Sequence, residues 1–177
     1  KENVTQSGQK IDVSANITSK EDIENVIRND ANGVGMFRSE FIYMESGSRF
    51  PTEDQQFQIY KLAAESMGTK RVVIRAVDCM EILGENNPVM GYRGIRVSLD
   101  KEEMFKTQLR AILRASVYGN LAIMFPMISS IEEAIAAKNV LEKVKRELYE
   151  EKIAYDENIQ VGVMIETPAA VMISGEL

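Results

Sequence analysis

The chain contains no histidine. That excludes a Ser-His-Asp triad, a histidine-based zinc site and a phosphohistidine from these 177 residues. A single cysteine, Cys79, excludes an internal disulfide framework and fits a reducing compartment. With no histidine to activate it, Cys79 reads as an incidental thiol rather than a nucleophile. No apolar run approaches the roughly 20 residues that span a membrane, and nothing near Lys1 has the layout of a signal peptide. Basic residues are the minority, 21 against 27 acidic, and the net charge of −6 argues against a nucleic-acid binder. A 45% hydrophobic and 27% charged composition is that of a globular chain with a core, not of a disordered one.

What is present is an alternation. Short apolar runs rich in Val, Ile and Met, at 11–17, 33–37, 71–77, 121–125 and 159–165, read as strands of the kind buried on both faces of a parallel sheet. Four helical patterns separate them. Ser19 with Asp22, Thr52 with Gln55, and Ser130 with Glu133 have the spacing of capping boxes, and Asp100 with Glu103 is a looser version. The spacing predicts helices over 53–67, with Phe57, Tyr60, Ala64 and Met67 on one side, and over 131–151. In the second, Ile131, Ala134, Ile135, Leu141, Val144 and Leu148 form the apolar stripe.

Strand and helix in strict alternation imply right-handed crossovers and a parallel sheet. A doubly wound sheet normally carries a glycine-rich turn after its first strand. Here that position reads Ser14-Ala15-Asn16-Ile17-Thr18, and Gly33-Val34-Gly35 lies inside the second strand. The expectation is therefore an α/β fold of the (β/α)8 TIM-barrel type. About the first five β/α units are present over residues 1–177, since a whole barrel takes about 250 residues.

In such a barrel the chemistry collects at the carboxyl ends of the strands. Arg38 follows the second strand, Arg75 lies near the end of the third, Arg93 sits in the loop after it, and Glu166 ends the fifth. Guanidinium groups grip phosphate and carboxylate through paired N–H donors and stay charged, so three of them at one mouth make an anion site. A carboxylate among them would repel the same ligand unless it carries a bridging divalent metal. The plainer alternative is local neutralisation, Arg38 by Glu40 and Arg75 by Asp78. Arg96, Arg110 and Arg114 fall on stretches where pairing roles are commoner, and Met36, Met124, Met127 and Met164 read as core fillers.

The runs Gly33-Val-Gly-Met-Phe-Arg38-Ser-Glu-Phe-Ile-Tyr-Met and Phe50-Pro-Thr-Glu-Asp-Gln-Gln-Phe57 carry a resemblance. So do Asn87-Pro-Val-Met-Gly-Tyr-Arg-Gly-Ile-Arg96, Gln108-Leu-Arg-Ala-Ile-Leu-Arg-Ala-Ser116 and Gly162-Val-Met-Ile-Glu-Thr-Pro-Ala-Ala170. Together they resemble the phosphoenolpyruvate (PEP)-binding domain of Enzyme I of the bacterial sugar phosphotransferase system, over almost the whole chain. Related barrels serve pyruvate phosphate dikinase and PEP synthase, the nearest alternatives. A non-catalytic anion-binding barrel fragment is the third.

The resemblance implies that Arg38, Arg75 and Arg93 bind PEP and that Glu166 is a ligand to Mg2+. It also implies a cytoplasmic, bacterial protein, homodimeric when complete. Such a protein passes phosphate to a histidine on a separate N-terminal domain and on to HPr. After Arg75 the family reads Thr-Leu-Asp-Ile-Gly-Gly-Asp-Lys, where this chain has the shorter Ala76-Val-Asp-Cys-Met-Glu. The family's second metal carboxylate and its catalytic cysteine would follow Leu177, so residues 1–177 alone are expected to be inactive.

Overall fold

The computed structural model describes residues 3–45, 50–78, 87 and 89–177. Cys79, and with it most of the shortened stretch after Asp78, lies outside them. Five strands, β1 (Ser14–Ile17), β2 (Gly33–Arg38), β3 (Val72–Arg75), β4 (Leu121–Phe125) and β5 (Gln160–Val163), form one parallel sheet in the order in which they occur. Around them run α1 (Glu21–Arg28), α2 (Glu40–Glu45), α3 (Glu53–Met67), α4 (Ile95–Asp100), α5 (Glu102–Ala115), α6 (Ile131–Glu150) and α7 (Pro168–Met172). A 3-10 turn at Ser116–Tyr118 closes α5. The mixed α/β architecture with parallel strands is the one the alternation predicts.

The core lies between the sheet and the α3, α5 and α6 layer, where Phe37, Tyr60, Phe105, Phe125, Leu109 and Ile123 are fully buried. Edge-to-face ring pairs, Phe37 on Tyr60 and Phe105 on Phe125, lock strand to helix at centroid distances of 6.0 and 5.8 Å.

Burial on both faces holds for β3 and β4 but not for the two edges. In β1 only Ile17 is buried, and in β5 no residue is, because each has a strand on one side only. The edge strands are also shorter than their apolar runs. Ahead of β1 the Val13 N–H goes to the Asn32 side chain (2.9 Å) and its carbonyl to the Asn32 N–H (2.8 Å), so the ladder begins at Ser14. Beyond β5 a single further bond, Met164 N–H to the Phe125 carbonyl (2.9 Å), ends the pairing. Glu166 therefore stands three residues past the strand rather than at its end.

The helix signals divide in the same physical way. Thr52 and Ser130 form complete capping boxes with Gln55 and Glu133. Asp22 accepts instead from the Thr18 and Ser19 N–H groups and the Thr18 hydroxyl, which holds its carboxyl below the usual range, chiefly through the Thr18 backbone. Asp100 caps nothing. It takes the Tyr92 hydroxyl, and that bond pushes the phenol up to about 12. In α6 the buried face is Ala137, Val140, Leu141, Val144 and Leu148, while Ile135 is half exposed.

Ser130 offers a direct check on the capping account. Ser130→Ala removes the acceptor for the Glu133 N–H, bonded at 3.2 Å, and is expected to cost about 1 kcal/mol. That is a drop of about 2–4 °C in the calorimetric midpoint, and an unchanged midpoint would refute the cap's contribution.

Candidate anion-binding site

Arg38 and Arg75 are register partners at the carboxyl ends of β2 and β3. Parallel strands place such partners side by side on one face, where two cations repel unless a counter-charge lies between them. Glu40, two residues after Arg38 at the start of α2, supplies it. Its Oε1 accepts from Arg38 Nε at 3.0 Å and from Arg75 Nη2 in a very close ion pair.

The chain of charge continues through Asp78. Its Oδ2 lies 3.6 Å from Arg75 Nη1, and its two oxygens take Arg93 Nε (2.8 Å) and Nη2 (2.5 Å) as a fork. Arg38, Glu40, Arg75, Asp78 and Arg93 are thus one alternating series. Glu40, Arg75 and Asp78 are buried, and Arg38 remains partly open to solvent. The Asp78 hydrogen bond lifts Arg93 above its ordinary range against the cost of burial, and the charges of Glu166 and Glu40 add to it.

Glu166 joins from the far side. Its Oε1 accepts the Met127 N–H at 2.7 Å, fixing a non-glycine residue at φ 60°, a left-handed conformation that L residues seldom take. Met127 is buried, as a core filler would be, but its backbone is what tethers Glu166 beyond the end of β4.

All four predicted residues are therefore brought to one end of the sheet. Both plainer alternatives occur as well: Arg38 is paired with Glu40 and Arg75 with Asp78. Pairing and clustering are the same arrangement, because the two carboxylates are what hold three guanidinium groups together. The pairing is also incomplete. Among the described residues, Glu40 Oε2 and Arg75 Nε are buried without a hydrogen-bond partner. A buried orphan donor on an arginine is costly and marks the place where a ligand or water oxygen would be welcome.

Arg96 is a loop staple, donating to the carbonyls of Met90 and Gly91 and to the Ser129 hydroxyl. Arg110 and Arg114 in α5 pair with Glu53, Glu151 and Asp54 across the helical layer, the role their positions predict.

Sequence reasoning did not find the polar layer beneath the arginines. Ser39 Oγ donates to the Arg75 carbonyl (2.7 Å). Gln108 Nε2 donates to Ser39 Oγ (2.8 Å) and Tyr60 Oη (3.1 Å), and Gln108 Oε1 accepts the Val77 N–H (2.9 Å). The Tyr60 hydroxyl donates in turn to Gln56 Oε1 (3.2 Å), and burial pushes its phenol well up. The available signal was a glutamine beside Leu109 and Ile112 in a stripe that is otherwise apolar.

A parallel α/β sheet with arginines gathered at its carboxyl ends has the layout of a domain suited to a small polyanion. The chain belongs to the family described as PEP-utilising enzyme, PEP-binding domain, which matches residues 1–177. It is 46% identical over 175 residues to a phosphoenolpyruvate-protein phosphotransferase of Haemophilus influenzae, covering 94% of this chain and 30% of that protein. Proteins of the same name from Enterococcus faecalis (44% over 183 residues, 98% and 32%) and Buchnera aphidicola (41% over 182 residues, 98% and 31%) are similar. The chain thus spans about a third of the length of the curated relatives it matches.

Proposed function

We propose that residues 1–177 are the PEP-binding part of a phosphoenolpyruvate-protein phosphotransferase and contribute the first five strands of a (β/α)8 barrel. The strand order supports the barrel: β1 to β5 neighbour one another consecutively, with no reversal of the kind that makes a switch point in doubly wound sheets. The observation that carries the function is the alternating series of Arg38, Arg75 and Arg93 at the carboxyl ends of the strands. Arg38, the most open of the three, meets the ligand first. Arg75 offers its unpartnered Nε, and Arg93 is held in orientation by the Asp78 fork.

Three arginines faced by Glu40, Asp78 and Glu166 sum to zero, so a polyanion entering this site needs further positive charge. Glu166, set on a tethered backbone beyond the strand ends, suits a Mg2+ ligand. Among the described residues no three acids, histidines or cysteines are placed to hold a metal ion by themselves, so ligand oxygens and water would complete the shell. The metal, when bound, supplies charge and polarises the ligand's oxygens. In the whole protein the phosphoryl group would pass to a histidine on another domain and then to HPr, in the cytoplasm, from a homodimer; this chain carries no histidine to receive it. No helix among the described residues is long and apolar enough to cross a membrane.

Titration of the full-length protein with PEP and magnesium tests the reading. Arg38→Ala removes a charge-assisted partner of about 1.5–3 kcal/mol, which is roughly ten- to a hundredfold in affinity. Arg146→Ala, on the exposed face of α6, should bind as the parent does. Full-strength binding by the Arg38 variant would overturn the assignment.

A further inference from the structure

We infer that Gln108 is a positioning residue for the arginine site: its one amide holds both backbone segments from which Arg38, Glu40, Arg75 and Asp78 project. The inference rests on the reading of those arginines as the PEP site. Gln108 is fully buried in α5 between the sheet and α3. An amide in that position costs several kcal/mol unless its groups are bonded, and here both ends are used.

The Oε1 end takes the N–H of Val77, one of the two residues between Arg75 and Asp78. The last ladder bond there is Ala76 N–H to the Met124 carbonyl, so Gln108 continues the anchoring where strand pairing stops. The Nε2 end reaches the hydroxyl of Ser39, the residue between Arg38 and Glu40. Ser39 in turn donates to the Arg75 carbonyl, which ties the end of β2 to the end of β3. Two short tethers from one rigid helix thereby set the spacing of two arginines and the two carboxylates that orient them. Groups that grip a ligand must be held to about 0.5 Å, and a displacement of 1 Å can cost on the order of a hundredfold.

The remaining members of the layer differ in where they lead. Tyr60 and Gln56 are coupled to the site, because the Tyr60 hydroxyl accepts from Gln108 Nε2 and Gln56 bonds Tyr43 on α2, the helix that begins at Glu40. Ser116, buried where α5 ends ahead of β4, supplies the control, since its hydroxyl bonds only the Leu113 carbonyl and the Asp156 N–H among the described residues.

In the full-length protein, PEP affinity with magnesium and the thermal midpoint are measured for Gln108→Met, Ser39→Ala, Ser116→Ala and Gln108→Glu, with Arg38→Ala alongside. Gln108→Met keeps the bulk and loses both tethers, and about tenfold weaker binding is expected. Ser39→Ala, a smaller change that keeps the Gln108–Val77 tether and disturbs the fold less, should weaken binding about threefold. Ser116→Ala, which orphans the Asp156 N–H, should lower the midpoint yet leave affinity within twofold. Gln108→Glu, kept neutral by burial, retains a carbonyl acceptor and an O–H donor and should recover most of the lost affinity. Parent-like binding by Gln108→Met or Ser39→Ala, while Arg38→Ala is weakened, overturns the positioning role alone. Equal weakening by Ser116→Ala also overturns it, by showing a general loss of packing. Parent-like binding by Arg38→Ala removes the site reading itself.

Discussion

Replacing Asp78 by alanine is expected to destabilise the domain by about 3–5 kcal/mol, the range found when one member of a buried ion pair is deleted. The Asp78 side chain has no exposed surface, and its oxygens face Arg93 at 2.5 and 2.8 Å and Arg75 at 3.6 Å. Without it, two largely buried guanidinium groups confront each other with only Glu40 between Arg75 and Arg38. Arg93 would lose both bonds of its fork, and water would have to enter or the loop would have to move.

For a domain of this size, 3–5 kcal/mol corresponds to a fall of about 6–20 °C in the thermal midpoint. Asp78→Asn keeps one acceptor and the shape, so its loss should be smaller. Calorimetry of the two variants in the full-length protein decides the matter. A midpoint for Asp78→Ala within 2 °C of the parent would show that the alternating charge series does not hold the site together.

Much of this arrangement was legible in the amino-acid sequence, for reasons that can be named. The α3 helix and β4 have the limits their residues predict, because a full capping box and an uninterrupted apolar run are local signals. Arg38, Arg75 and Arg93 could be placed because parallel strands send whatever follows them to one end. Interactions that depend on neighbours were not legible. Ile11, Val13 and Ile165 look like strand residues, yet the ladder stops short of each. Ile135 belongs to the apolar stripe by spacing and faces solvent all the same. The six-residue α2 is too short for a periodic signal, and it is the element that presents Glu40. Gln108 is 31 residues from Val77 and 69 from Ser39, so its role exists only once the helix is laid on the sheet.

The second large effect is expected from one methyl group. Gly94, immediately after Arg93, has φ +56°, a region that L residues avoid. A Cβ there would lie 2.8 Å from Cβ and Cγ of Met127 and 3.3 Å from Asp78 Oδ1. Met127 has little room to yield, since its own φ is 60° and its N–H is bonded to Glu166. The wedge would therefore act on the Arg93 loop, the Asp78 fork and the Glu166 tether together. The backbone conformation costs about 1–3 kcal/mol for a non-glycine residue, and overpacking about 1–3 more, so Gly94→Ala should lose about 2–6 kcal/mol. Gly68, at the end of α3, separates the two contributions: its φ is +58°, but a Cβ there would meet nothing within 4 Å. Gly68→Ala should show the backbone cost alone and leave PEP affinity unchanged, while Gly94→Ala should lose stability and weaken PEP binding. Equal stability losses in urea unfolding of the two variants, with PEP binding intact in both, would mean that the contact between the Arg93 loop and Met127 does not shape the site.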